Sequence, residues 1–529
     1  MNHSYAKHSM VNYNMFRSNN GNNGSRRFSG QQSVDAYIKS VCDIMRRSNC
    51  AGALQYVPEL TWILFLRILD EREAEEAERA EAVGREYSPS LEEPYRWQDW
   101  ASPDGEKRRE LQFGGTLGSF KSFVNGDLIP HLKGLRDVPN ATPRQKAISQ
   151  IFSNVESTRI DTERNLLDVL DMVHEIRLDS VDQTHVFTLS QVYEGLLLKM
   201  GEKGNDGGQF FTPREIIRVM VQAIDPKTGE TVYDPGCGTG GFLAQSYEHM
   251  AGENNSKIES PDQLETLKLR TFYGREKDNA IFPISLANLV LHGIDEPHIW
   301  HGNTLTDAEL YGGLYTNAPS DFNVILMNPP FGGKEGKEAQ TKFAYKTGAT
   351  QILFLQHVIQ SLKRGGRCGI VMDEGVLFRT NETAFVQTKH KLLDDCDLWC
   401  ILSLPPGTFI NAGAGVKANL LFFTKGKSTE KVWYYDLSHI KVGKKTPLTR
   451  SHFEEFLQLL PDRNDSEHSW TVTREEIEAR NYDLKAVNPN AKKEEDLRTP
   501  EELLDLIEAK GREVAEALAE LRRKGPGIT

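Results

Sequence analysis

The chain has 529 residues, too many for one ordinary hydrophobic core, so about two to four domains are expected. With 38% hydrophobic and 9% aromatic residues it packs into globular domains rather than staying disordered. A formal charge of −12 and a pI near 5.7 exclude a protein that grips nucleic acid by net charge alone, though not one with a local basic surface.

The six cysteines (Cys42, Cys50, Cys237, Cys368, Cys396 and Cys400) lack the paired spacing of a zinc site and read as reduced thiols of a cytoplasmic protein. Cys396 and Cys400, four apart, read as ordinary packing. No run reaches the roughly 18 apolar residues of a membrane span, and the polar first segment lacks the apolar core of a secretion signal. A soluble cytoplasmic protein is expected.

In chain order, residues 1–33 ("RSNNGNNGSRRFSGQQS") cannot bury enough apolar surface to order themselves and are expected to be a disordered tail. Residues 34–200 carry apolar residues at helical spacing and predict a helical domain. In "ELTWILFLRILDEREAEEAERAEA" a buried stripe runs into a charged extension, and the acids from Glu71 to Glu81 read as a solvated face or as a surface for a basic partner. Gly201–Gly208 ("GEKGNDGG") is a flexible loop by composition and opens a region, 201–445, in which strands alternate with helices. The strands are "TVYDPG", "RTFYGRE", "DFNVILMN", "RCGIVMD", "LWCILSLP" and "ANLLFFT"; the helices are "GGFLAQSYEHM", "NAIFPISLANLVLHG", "QILFLQHVIQSL" and "TAFVQTKHKLL". This alternation implies an α/β fold with a parallel sheet covered on both faces and ligands bound beyond the carboxyl ends of its strands. Residues 446–529 read as helical and charged. There Thr499, Pro500 and Glu502 form a helix-start signal, followed by Ile507, Val514 and Leu521 seven apart with Leu504 and Leu518 beside them. That apolar seam suits a partner helix or packing on the same chain.

Three stretches carry chemistry. In "VYDPGCGTGG" a strand ends at Tyr233, and Gly236, Gly238, Gly240 and Gly241 permit either a plain strand-to-helix turn or a close backbone approach to a ligand. The next strand ends in Glu276, placed to accept hydrogen bonds from a ribose diol or to be a surface carboxylate beside Lys277; the polar stretch "GENNSKIESPDQLE" lengthens the spacing between them. Upstream, in "GQFFTPREI", Thr212 and Pro213 suit a helix start with Phe210 and Phe211 at its mouth. In "LMNPPFGG", two prolines that cannot continue a strand stop it and expose the residues at its end.

The series "QFFTPR", "DPGCGTGGF", "MNPPF" resembles the S-adenosylmethionine-dependent DNA adenine-N6 methyltransferases of the gamma arrangement. The helical front and the tail "EEIEARNYDLKAVNPN" are similar to the modification subunit of type I restriction-modification systems, over about residues 35 to 525. The resemblance implies a Rossmann-like methyltransferase sheet flanked by helical regions, the last of them making subunit contacts. It assigns Gln209, Phe210, Phe211, Thr212, Pro213 and Arg214 to the methionine end of S-adenosylmethionine. It further assigns Asp234, Gly236, Gly238, Thr239, Gly240 and Gly241 to the cofactor loop, Glu276 to its ribose, and Asn328, Pro329, Pro330 and Phe331 to catalysis.

The chemistry implied is direct. Adenine's exocyclic amine is a poor nucleophile because its lone pair is delocalised; if the Asn328 side-chain oxygen and the following carbonyl each accept an N6 hydrogen, the lone pair is freed. Phe331 offers a face for a base turned out of the duplex. Placement in line with an activated sulfonium methyl then supplies much of the catalysis without a strong base. Where many adenine enzymes carry an aspartate, "HGNTL" offers Asn303 for a hydrogen bond to adenine. In the lysine-rich loop "GGKEGKEAQTKFAYKTG", Lys334, Lys337, Lys342 and Lys346 either touch DNA phosphates or are simply solvated.

No stretch matches the phosphate-binding loop of a helicase motor or a DNA target-recognition domain. Together with that absence, the resemblance implies as partners double-stranded DNA, a separate specificity subunit at two modification subunits to one, and, as an optional component, a restriction subunit. Two alternatives stand beside this reading: a protein glutamine N5-methyltransferase, whose planar amide also suits NPP, and a cofactor-binding scaffold without catalysis.

Overall fold

A computed structural model describes residues 39–41, 43–48, 50, 53–114, 116–175, 212–309, 318–410, 415–443, 446–490 and 499–524. The 1–33 tail, Cys42, the Gly201–Gly208 loop and three residues of the "QFFTPR" motif, Gln209, Phe210 and Phe211, lie outside the described residues. The chain divides into two units, Met1–Val487 and Asn488–Thr529.

The apolar run at 60–69 makes the buried half of helix α1 (Ala53–Ala82), where Leu60, Trp62, Ile63, Leu64, Phe65 and Leu66 are all buried. Around it pack α2 (Pro143–Phe152), started by a Thr142–Gln145 capping box, and α3 (Glu163–His174). The acidic run is not a plain solvated face. Glu73 and Glu76 turn inward to Arg144 on α2, which also reaches Asp295 in the α/β region at 2.7 Å. The run does have a basic partner, supplied by its own chain.

Ten strands form one sheet in the order β10-β9-β7-β8-β6-β5-β1-β2-β3-β4. They are β1 (Val232–Asp234), β2 (Phe272–Glu276), β3 (His298–Asn303), β4 (Ala308–Glu309), β5 (Phe322–Met327), β6 (Leu362–Asp373), β7 (Cys396–Ser403), β8 (Ala418–Lys425), β9 (Lys431–Asp436) and β10 (Ser469–Thr473). The strands β3, β2, β1, β5 and β6 run parallel, with Val232 in register with Phe272 on one side and Val324 on the other.

The remaining half corrects the all-parallel expectation. Strand β8 is antiparallel to both β6 and β7, and β9 to β10. Strand β10 also lies within the stretch after residue 445 whose composition predicts helix throughout.

Alternation along the strands divides the core between two faces. Val232, Val324, Leu326, Leu420 and Phe422 pack with α4 (Arg214–Ile224), α5 (Gly241–Ala251), α6 (Pro261–Leu269), α7 (Ile281–His292) and the N-terminal helices in one continuous core. Tyr233, Ile325, Met327, Leu421 and Phe423 face α8 (Thr350–Ser361) and α9 (Thr383–Asp395). The five described cysteines are free and buried. Among the described residues no helix is long and apolar enough to cross a membrane. In the second unit α10 (Pro500–Lys524) begins on the expected capping box: Glu502 N–H donates to Thr499 Oγ1 at 3.2 Å, and Thr499 N–H to Glu502 Oε2 at 2.7 Å.

Candidate active site

In an open sheet of this kind, the strand order reverses between β1 and β5, and a crevice opens above their carboxyl ends. A cavity of about 370 Å³ lies there, within the usual size of ligand sites. It gathers residues from all three motifs: Thr212, Pro213 and Arg214; Asp234, Gly236, Gly238, Thr239 and Gly241; and Asn328, Pro330 and Phe331, together with Glu276, Asn303 and Lys334. Gly240 and Pro329 support it from outside the lining.

The glycine loop is held in one conformation by its neighbours. Gly236 N–H donates to Asp234 Oδ1 at 3.1 Å, Gly238 N–H to Glu276 Oε2 at 3.0 Å, and Cys237 N–H to Arg275 O at 2.9 Å. Gly240 has φ of 80° at the mouth of α5, a left-handed conformation, and a Cβ there would meet Leu289 at 3.1 Å. The other oxygen of Glu276 accepts from Asp278 N–H at 2.8 Å. Glu276 is buried, so it is not a surface carboxylate; burial pushes its carboxyl up to about 7 despite those donors. Burial raises Asp234 as well, and the charge of Glu276 adds to this.

Strand β5 delivers the catalytic motif. Its buried run ends at Met327, the prolines stop the ladder, and Gly332 turns with φ of 68°. Asn328 Nδ2 donates to Thr212 Oγ1 at 3.0 Å, whereas its Oδ1 is buried and has no hydrogen-bond partner among the described residues. The sequence suggests that Thr212 caps α4. Instead Pro213 occupies the cap position without a side-chain bond, and the Thr212 hydroxyl serves Asn328.

Asn303 ends β3, three strand spacings from β5, roughly 14 Å along the sheet edge. Its Oδ1 accepts from Leu305 N–H at 2.9 Å. The lysine-rich stretch is built rather than loose. Glu335 N–H bonds Gly348 O, Thr350 Oγ1 bonds Glu335, and a short helix spans Lys337–Lys342. Lys342 pairs with Asp307, which also holds Arg275 at 2.6 Å; Lys334 is exposed at the cavity rim.

Several residues escaped the sequence reading. Thr304 Oγ1 donates to Pro235 O, and Asn288 Nδ2 to Thr239 O at 2.8 Å, both bracing the glycine loop. Phe409, in the loop after β7, packs edge-on against Phe331 with ring centres 5.2 Å apart. Only Asp278 left a local signal, an aspartate before a helix, and its Oδ1 accepts from the Ala280 and Ile281 N–H groups at the start of α7.

A family model described as N-6 DNA Methylase matches residues 184–497, and one described as HsdM N-terminal domain matches 34–173. The chain is 34% identical to the type I restriction enzyme EcoEI methylase subunit of Escherichia coli, covering 93% of this chain and 97% of that one. It is 30% identical to the EcoKI methylase subunit of Escherichia coli over 84% and 80%. Among solved structures, a modification subunit of a type I restriction enzyme from Vibrio vulnificus superposes with a TM-score of 0.75 at 30% identity, covering 88% and 99%. A chain from a type I restriction-modification assembly gives 0.66 at 37% identity, covering 94% and 99%. These matches favour neither the glutamine methyltransferase nor the scaffold alternative. The chain belongs to the N-6 DNA methylase family and, within it, to the methylase subunits of type I restriction enzymes.

Proposed function

We propose that this chain transfers a methyl group from S-adenosylmethionine to the N6 amine of an adenine turned out of double-stranded DNA, with Asn328 as the residue that receives that amine. The observation that carries the reading is that Asn328, whose buried Oδ1 has no partner among the described residues, lines the same cavity as the glycine loop and Glu276. A buried acceptor without a donor costs stability unless a ligand supplies one. Adenine N6 is such a donor, and a hydrogen bond from it to Oδ1 draws its nitrogen towards tetrahedral geometry.

The residues fit the cofactor. Glu276 would take the ribose hydroxyls, the loop from Asp234 to Gly241 the adjoining backbone, and the Gln209–Arg214 segment the methionine end; bound there, the cofactor supplies an activated methyl. Asn303, on the Glu276 side of the crevice, serves the nucleoside end of the cofactor rather than the target base. Pro329 and Pro330 fix the carbonyl after Asn328, Phe331 stacks on the extruded base, and Lys334 at the rim meets a phosphate. Sequence reading is left to a specificity subunit, bound by two copies of this chain and joined by a restriction subunit in the cleaving complex. A cytoplasmic location follows from that work on DNA.

The test is Asn328→Ala in the complex with the specificity subunit. Methyl incorporation into DNA should vanish, with cofactor affinity and assembly retained. Undiminished DNA methylation by that variant would remove the proposed chemistry.

A further inference from the structure

Asn328 is an amide, and an amide is ambiguous: half a turn about its last side-chain bond exchanges an acceptor for a donor of nearly the same size. Only the acceptor can receive an amine's hydrogen, so an N–H directed at the base would set donor against donor. Whatever satisfies the far end of the amide therefore bears on the reaction without touching the base.

In this chain that far end meets Thr212, 116 residues away in sequence, through a bond of 3.0 Å from Nδ2 to Oγ1. Thr212 stands in the segment before α4 and Asn328 comes after β5, so the bond joins two of the three sequence motifs side chain to side chain. The hydroxyl has no capping duty, because α4 starts at Arg214 with Pro213 as its cap residue. Among the described residues, Asn328 Oδ1 is left without a partner.

We infer that Thr212 is a positioning residue for methyl transfer: it accepts the Asn328 N–H that must turn away from the base, and so keeps the Oδ1 acceptor directed at the incoming amine. This rests on the reading of Asn328 given above and adds a requirement to it. A hydroxyl can serve either end of an amide, and the arriving amine, itself a donor, decides between them. Thr212 then satisfies the proton left over. Without the hydroxyl, the productive orientation leaves a buried N–H unsatisfied, and that penalty falls on the reacting complex. Thr212 also belongs to the segment assigned to the cofactor, so the two roles must be separated by measurement.

Thr212→Val keeps the shape and removes the hydroxyl; Thr212→Ser keeps the hydroxyl. Both are compared with the unaltered chain in complex with the specificity subunit. Single-turnover methyl transfer to target DNA and calorimetric affinity for S-adenosylmethionine are measured for each. The expected result for Thr212→Val is a rate about tenfold lower at saturating S-adenosylmethionine, a loss that any change in cofactor affinity does not account for, and near-normal behaviour for Thr212→Ser. Should Thr212→Val not fold, Thr212→Ala must show the same split. A loss confined to cofactor affinity, an unimpaired rate for the valine variant, or a serine variant as slow as the valine one would each overturn the inference. An active Asn328→Ala control would instead overturn the reading of Asn328 itself.

Discussion

Burial sets the acidity of Glu276, and that acidity sets when it can hold a ribose. Its carboxyl is raised to about 7, chiefly by desolvation. A raised acid contributes stability that is fully present below its ordinary value near 4.5 and lost as pH rises through about 7. Ribose hydroxyls donate to the ionised form and recover that loss. Affinity for S-adenosylmethionine should therefore rise by about tenfold between pH 6 and pH 8, and Glu276→Gln should flatten the profile as well as weaken binding. Calorimetric titration across that range is the check; a pH-independent affinity in the unaltered protein would contradict this account of the site. Gly240 is constrained differently. Its φ of 80° and the 3.1 Å approach to Leu289 mean that Gly240→Ala should destabilise the protein by about 1–3 kcal/mol, read as a lowered midpoint in chemical denaturation.

Among the elements, the site strands were legible because β1, β2 and β5 are short, mostly apolar and mostly buried runs, the first two ending in an acid and the third before proline. The insertion that separates Glu276 from the glycine loop was also visible, and α6 starts within it. Strand direction was less legible, although one cue was present: no helical stretch lies between "LWCILSLP" and "ANLLFFT", and a parallel pair needs a long crossover. Strand β10, which pairs with β9, did carry a strand signal, since Trp470 and Val472 alternate with Ser469, Thr471 and Thr473, but five residues between charged segments are few for that alternation to stand out. The inward turn of Glu73 and Glu76 was hidden for a similar reason, since their partner lies on another helix. Arg144 bonds Glu76 at 2.8 Å and Asp295 at 2.7 Å, while Lys268 reaches Asp295 at 3.2 Å. Burial opposes ionisation of Glu76, yet the Arg144 bond and the charges of Arg72 and Arg144 hold its carboxyl down to about 2. The stability from this depressed acid is present above about 4.5 and lost as pH falls towards 2. Arg144→Ala strands three partly or wholly buried carboxylates, so it should cost about 3–5 kcal/mol at pH 7 and lose much of that penalty in acid. Denaturant melts at both pH values test this, and equal penalties at the two would count against the network.

At the scale of the whole molecule, the sheet and the N-terminal helices share one continuous core, so the site's frame is complete within Met1–Val487. Among its described residues the second unit has no such core. Along α10, Leu504, Ile507, Val514 and Leu518 are between 49% and 66% exposed. In proteins most helical stability comes from packing an apolar face, and α10, 25 residues long, carries such a face. Four residues of the seam the sequence predicts thus lie exposed along α10, and we propose the specificity subunit as their occupant. Ile507→Glu combined with Val514→Glu charges the seam while leaving the capping box at Thr499 and Glu502 in place. This double variant should keep the melting temperature of the isolated chain and its affinity for S-adenosylmethionine. Its affinity for the specificity subunit, followed by co-elution and light scattering, should fall by tenfold or more, on the order expected for loss of central interface residues. Sequence-specific methylation would fall with it. A complex that forms with undiminished affinity would show that the specificity subunit docks elsewhere on the chain.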